Sequence, residues 1–181
     1  FLKYGFLDEE DDTFFTNIKT FPKGCYAKFK NIKEFKPKQY WELKLNRNNT
    51  YSNVKKISKT FFESLKLHFN SDVPIAITLS SGIDSTALAM FYKKNLNIFG
   101  KNQKVKFFSL KMESAKKEYK IIDKFVKEHN LNHEYVSVEN FENLKNLDEL
   151  ILYLGQPFRA TQTFYQYLLR KVIKKQGFKV V

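Results

Sequence analysis

Ser80, Ser81, Gly82, Asp84, Ser85 and Thr86 stand almost side by side in the stretch ITLSSGIDSTALAMF, between an apolar run and a run that reads as a helix. Hydroxyls that donate, a glycine that can adopt positive φ and a turn into a helix make a place for an anion. The N–H groups at a helix start have no intrahelical partner and lie at the positive end of the helix dipole. Asp84 is out of place beside a bare phosphate, by charge repulsion, unless a divalent cation stands between them. The chemical reading is therefore a phosphate loop in which Asp84 is a Mg²⁺ ligand and the metal-bearing group of the reaction. The plainer alternative is a helix start capped by Ser80 or Asp84, with the serines serving only as caps. Two common phosphate loops do not fit. No GxxxxGK[ST] and no GxGxxG occurs in the chain.

The elements that must position this loop follow from hydrophobic periodicity. Residues 73–79 and 105–110 are short apolar runs suited to buried parallel strands, and 133–138 alternates like a third strand. Between and after them, helical patterns cover 85–94 (apolar at Ala87, Leu88 and Phe91), 118–129 (Ile121, Ile122, Phe125 and Val126 toward the core), 144–154 and 163–176. A further strand is expected to begin at 178–181. The alternation predicts an α/β fold, a parallel sheet with helices on both faces, and it puts the loop at the carboxyl end of the first strand, where such folds bind ligands. Ahead of these elements, Val54, Ile57, Phe61, Leu65 and Phe69 share one face of a predicted helix. The N-terminal texture differs. A Pro22-Lys23-Gly24 turn and the alternation at 26–30 predict a hairpin, residues 43–56 read as an asparagine-rich linker, and a domain boundary is expected near residue 50.

A chain of 181 residues with 43% hydrophobic content can build one globular domain, or one domain and part of another. No apolar stretch of membrane-spanning length and no leader pattern is visible, and the lone Cys25 cannot form an internal disulfide, so no membrane partner is expected and a cytoplasmic setting is the expectation. The net charge of +13 invites a nucleic-acid reading, under which the chain would be a noncatalytic basic module. Only three of its 32 basic residues are arginines (Arg47, Arg159, Arg170), however, and the lysines form no stripe. No nucleic-acid partner is expected. The acidic run at 8–12 reads as a solvated loop, and His68, His129 and His133 lack metal-ligand spacing with the cysteine.

The stretch LSSGIDST resembles the pyrophosphate-binding loop, SGGxDS, of the ATP pyrophosphatase group, and other stretches narrow the resemblance to the glutamine-hydrolysing asparagine synthetases. DVPIAITLSSGIDST is similar to that family's strand and loop. FFTNIKTFPKGCYAKF followed by YWEL is similar to the end of its glutaminase domain and the linker, and GQPFRATQTFYQYLLRKVIKKQGFKVV to the helix and strand before its second loop. The resemblance implies a Rossmann-like PP-loop fold of the adenine nucleotide alpha hydrolase type over 51–181. It implies that 1–50 is the tail of an N-terminal-nucleophile glutaminase domain with its linker. It further implies that Ser80, Ser81, Gly82, Ile83 and Ser85 hold the β- and γ-phosphates of ATP, that Asp84 binds Mg²⁺, and that Leu79 and Leu110 lie against adenine. Aspartate would then be adenylated with loss of pyrophosphate, and ammonia from glutamine would form the amide. The resemblance leaves room for a homodimer.

The departures from the pattern are specific. Ser81 replaces the first glycine of the loop, and Gln156 stands where many relatives are acidic. Gln156 and Arg159 are therefore candidate substrate residues, and an acceptor other than aspartate, such as a surface sugar acid or a peptide, is the alternative. The family's nucleophilic N-terminal cysteine is replaced by Phe1, and its second, acid-rich loop would follow Val181. The expectation is a fragment, inactive by itself, of a longer enzyme.

Overall fold

A computed structural model describes residues 1, 3, 5, 11–29, 35–44, 54–98, 104–112, 116–137 and 144–181, with the backbone alone at 144 and 145. Most of the expected linker, residues 8–10 of the acidic run and residue 138 of the third predicted strand lie outside them. The chain divides into two compact units, one of Phe1–Ser52 with Ile151–Arg159 and one of Asn53–Leu150 with Ala160–Val181.

In the first unit a two-stranded antiparallel ladder pairs β1 (Cys25–Tyr26) with β2 (Lys38–Gln39). The turn before it depends on Gly24, whose φ is +66° and whose added Cβ would sit 2.2 Å from the Trp41 carbonyl oxygen. That carbonyl approaches because the Tyr40 and Trp41 N–H groups both donate to the Gly24 carbonyl.

The second unit is α/β. Its elements run α1 (Val54–His68), β3 (Ile75–Thr78), α2 (Ile83–Lys94), β4 (Val105–Lys111), α3 (Lys116–His129), β5 (His133–Ser137), α4 (Leu144–Leu154, whose last four residues belong to the first unit) and α5 (Thr161–Lys175). The strands form a parallel sheet in the order β3-β4-β5, with Ile75 opposite Val105 and Phe107 opposite His133. The strand expected at 178–181 appears as one parallel bridge, Ile75 to Val180, where the Ala76 N–H donates to the Val180 carbonyl at 2.8 Å.

Because side chains alternate along a strand, the sheet carries two cores. Ile75, Ile77, Leu79, Val105 and Phe107 pack on one face with Leu65 and Phe69 of the α1 end, Ala89 of α2 and Ile122 of α3. Ala76, Phe108 and Val136 pack on the other with Leu168, Leu169 and Ile173 of α5. Two parts of the expected core differ. Ile121 is exposed, since α3 turns Ile122, Phe125 and Val126 to the sheet and Ile121 falls just outside that arc. On α1, Val54, Ile57 and Phe61 are exposed and only the C-terminal end of the apolar stripe reaches the core.

Candidate functional site

β3 ends at the loop the sequence singled out. Leu79 is buried and still bonded to the sheet through its N–H, which donates to the Phe108 carbonyl at 2.7 Å, and the chain then turns through Ser80 and Ser81 into α2. Two hydroxyls organise that turn. The Ser80 N–H donates to Ser85 Oγ at 3.0 Å, the Gly82 N–H donates to Ser80 Oγ at 3.2 Å, and the two serine oxygens are 2.9 Å apart. Ser85 Oγ lies 3.0 Å from the Ser80 carbonyl oxygen and 3.1 Å from that of Gly82. A consistent proton assignment follows: Ser80 donates to Ser85, and Ser85 donates to one of the carbonyls.

This net leaves the helix start open. Gly82 is the N-cap of α2 and no side chain caps it, so the capping role considered for Ser80 or Asp84 is not what the structure shows. Thr86 N–H closes the first turn on the Gly82 carbonyl at 3.2 Å, while among the described residues no protein group accepts from the N–H groups of Ile83, Asp84 and Ser85. Three donors at the positive end of a dipole are thus available to an anion. Gly82 has φ −74°, so its value here is not positive φ. An added Cβ would stand 3.2 Å from Ser80 Oγ, against the hydroxyl that accepts the Gly82 N–H.

The loop borders a cleft of about 600 Å³. Thr78, Leu79, Ser80 and Ser85 form one side, Phe108, Leu110 and Met112 at and just past the end of β4 a second, and residues of α3, among them Glu118, Tyr119 and Ile122, and of α5, among them Gln162 and Gln166, the rest. Of the residues singled out from sequence, Leu79, Ser80, Ser85 and Leu110 therefore come together at one cavity. Ser81, Gly82, Ile83 and Asp84 occupy the turn between Ser80 and Ser85, with Ile83 and Asp84 exposed. Gln156 is half-buried and Arg159 exposed, both in the Ile151–Arg159 segment that belongs to the other unit. The α5 amides Gln162 and Gln166 were not singled out, although their spacing of four on a predicted helix gives them a common face.

Beneath the loop lies a buried polar pair. Ser109 is 1% exposed, its hydroxyl donates to the Leu79 carbonyl at 2.7 Å, and His133 Nε2 lies 2.7 Å from the same hydroxyl oxygen. Burial holds the His133 pKa below its ordinary value, against the opposing pull of Asp123 and Glu134. The Lys106 ammonium, 2.5 Å from the Glu134 carboxylate, lowers the Glu134 pKa.

A magnesium ion bound with a nucleotide keeps several waters and needs only one or two protein carboxylates besides the phosphates. Asp84, on the first turn of α2 and beside the open N–H groups, meets that requirement. No group of three or more His, Cys, Asp or Glu among the described residues forms a self-sufficient metal cage.

Comparison with known proteins gives the family. The family model for asparagine synthase matches residues 56–181. A protein named amidase chyE, from Penicillium rubens, is 33% identical over 86 residues, an alignment that covers 44% of this chain and 13% of that protein. The chain thus matches only a small part of that relative's length. With a family match that takes in the sheet, the loop at the end of β3 and the three helices that border the cleft, the chain belongs to the asparagine synthase family.

Proposed function

We propose that this chain is the nucleotide-binding part of an ATP-dependent asparagine synthetase, with 51–181 the first part of its synthetase domain and 1–50 the end of its glutaminase domain and the linker. The observation that carries the reading is the uncapped α2 start, whose free N–H groups stand at the rim of a cleft that is apolar along Leu79, Phe108 and Leu110. Phosphates at the N–H groups and a base against the apolar wall match the two ends of ATP. Ser80 and Ser85 fix the turn, Ser81, Gly82 and Ile83 bring its backbone to the phosphates, Leu79 and Leu110 flank the adenine, and Asp84 holds Mg²⁺. When bound, that ion offsets phosphate charge.

In the proposed reaction an oxygen of the aspartate side-chain carboxylate attacks the α-phosphorus, and the bond to the departing pyrophosphate breaks. Ammonia derived from glutamine then displaces AMP and leaves asparagine. The loop N–H groups act where negative charge grows on the leaving group, the arrangement that lowers such barriers. Gln156 and Arg159 are proposed to meet the acceptor carboxylate, Arg159 through its guanidinium fork.

In the full-length parent, Asp84→Ala is expected to lower aspartate-dependent pyrophosphate release by at least about a hundredfold. Near-normal turnover would refute the role of Asp84. Pyrophosphate release that ignores aspartate but responds to a sugar acid or a peptide carboxylate would keep the loop chemistry and replace the acceptor.

A further inference from the structure

The Leu79 carbonyl sits where β3 leaves the sheet. The Leu79 N–H is still held by β4 backbone, but the described partner of its C=O is the Ser109 hydroxyl, a side chain on β4. A hydroxyl has one proton, and a carbonyl can only accept, so the Ser109 proton goes to Leu79 and Ser109 Oγ must accept from its other neighbour. That neighbour is His133 Nε2, on β5. The imidazole must therefore carry its proton on Nε2. Protonation then occurs at Nδ1 and leaves the bond to Ser109 in place. A strut of three groups crosses the sheet from β5 to the residue that begins the phosphate loop, and all of it is at least half buried.

We infer that Ser109 and His133 are positioning residues for the loop: they fix the direction in which the chain leaves β3, and so the place where the serine net and the open N–H groups of α2 stand. Neither residue borders the cleft, so neither touches a ligand there. The nucleotide part of this inference rests on the function proposed above, whereas its structural part does not.

Nuclear magnetic resonance on the 181-residue chain separates the two. Long-range proton–nitrogen spectra are expected to show His133 as the Nε2–H tautomer, and the Nδ1–H tautomer would overturn the inference. Amide exchange at Ser80 and Gly82 is expected to rise about tenfold in Ser109→Ala and about threefold in His133→Leu, with rates inside β4 and β5 unchanged. His133→Gln, which keeps an N–H donor, should restore the rates, and the double variant Ser109→Ala/His133→Leu should be no worse than Ser109→Ala alone. Unchanged loop rates in Ser109→Ala, or an equal rise throughout the sheet, would overturn the inference. Mg-ATP affinity is expected to fall in the same order as the loop loosens, and equal affinity in wild type and Ser109→Ala would remove the positioning role. A wild-type chain that binds no Mg-ATP would count against the proposed function, while the exchange rates would still decide whether the strut holds the loop.

Discussion

Asp84 stands on the first turn of α2 and His133 on β5, and a different role is proposed for each. Asp84 is exposed on the first α2 turn, so its substitution should leave the fold intact. Asp84→Asn is expected to weaken Mg-ATP binding by about tenfold or more while leaving the melting temperature within the scatter of surface substitutions, as titration calorimetry and thermal melts would show. His133 is held neutral by burial, so its folded pKa lies below the 6.5 of the unfolded chain. Between those values the unfolded state binds more protons, and stability therefore falls as pH drops through 6.5 toward the folded value. Glu134, whose lowered pKa sits below 4.5, contributes only in a more acidic window. Urea unfolding from about pH 7.5 to about pH 5.5 should show this loss in the wild type and a flatter profile in His133→Gln. The place of the loop was legible because serine, glycine and aspartate stand between a short apolar run and a helical pattern. The Ser109–His133 pair was not, because it depends on register across two strands, and 133 alone reads as one more alternating position.

Helices α1 and α3 show what periodicity conveys about an element and what it leaves out. The apolar spacing located the buried side of α3, but an arc that included both Ile121 and Ile122 was one residue too wide. Ile122→Ala is expected to cost about 2–5 kcal/mol and Ile121→Ala about 0.5 kcal/mol or less, measured by denaturant unfolding. On α1 the stripe was real, yet Val54, Ile57 and Phe61 are exposed among the described residues, because spacing reports a face and not the extent of its neighbours. The parallel strands were legible for a simpler reason. β3 and the centre of β4, buried on both faces, read as short apolar runs, and Phe107 and Phe108 in β4 feed the two cores in turn, whereas β5 was read from its alternation. At Gly24 the turn needs φ +66° and open space, so Gly24→Ala should disrupt the β1–β2 ladder, visible as lost amide protection at Tyr40 and Trp41.

At the scale of the whole molecule, topology says more about the fold than net charge does. The surplus of 13 positive charges is spread along the chain, whereas the sheet and the loop lie in one unit, and the family match over 56–181 takes in both together with the 151–159 segment of the other unit. Phe29, Tyr40 and Trp41 of the first unit are exposed at 66%, 71% and 57% among the described residues. The most direct measurement is calorimetric titration of ATP into this chain with and without Mg²⁺, repeated with Asp84→Ala. Binding that requires Mg²⁺ and is lost in Asp84→Ala is the predicted result. Binding that is absent, or that persists unchanged without the metal and without the carboxylate, would contradict the phosphate-loop reading at its centre.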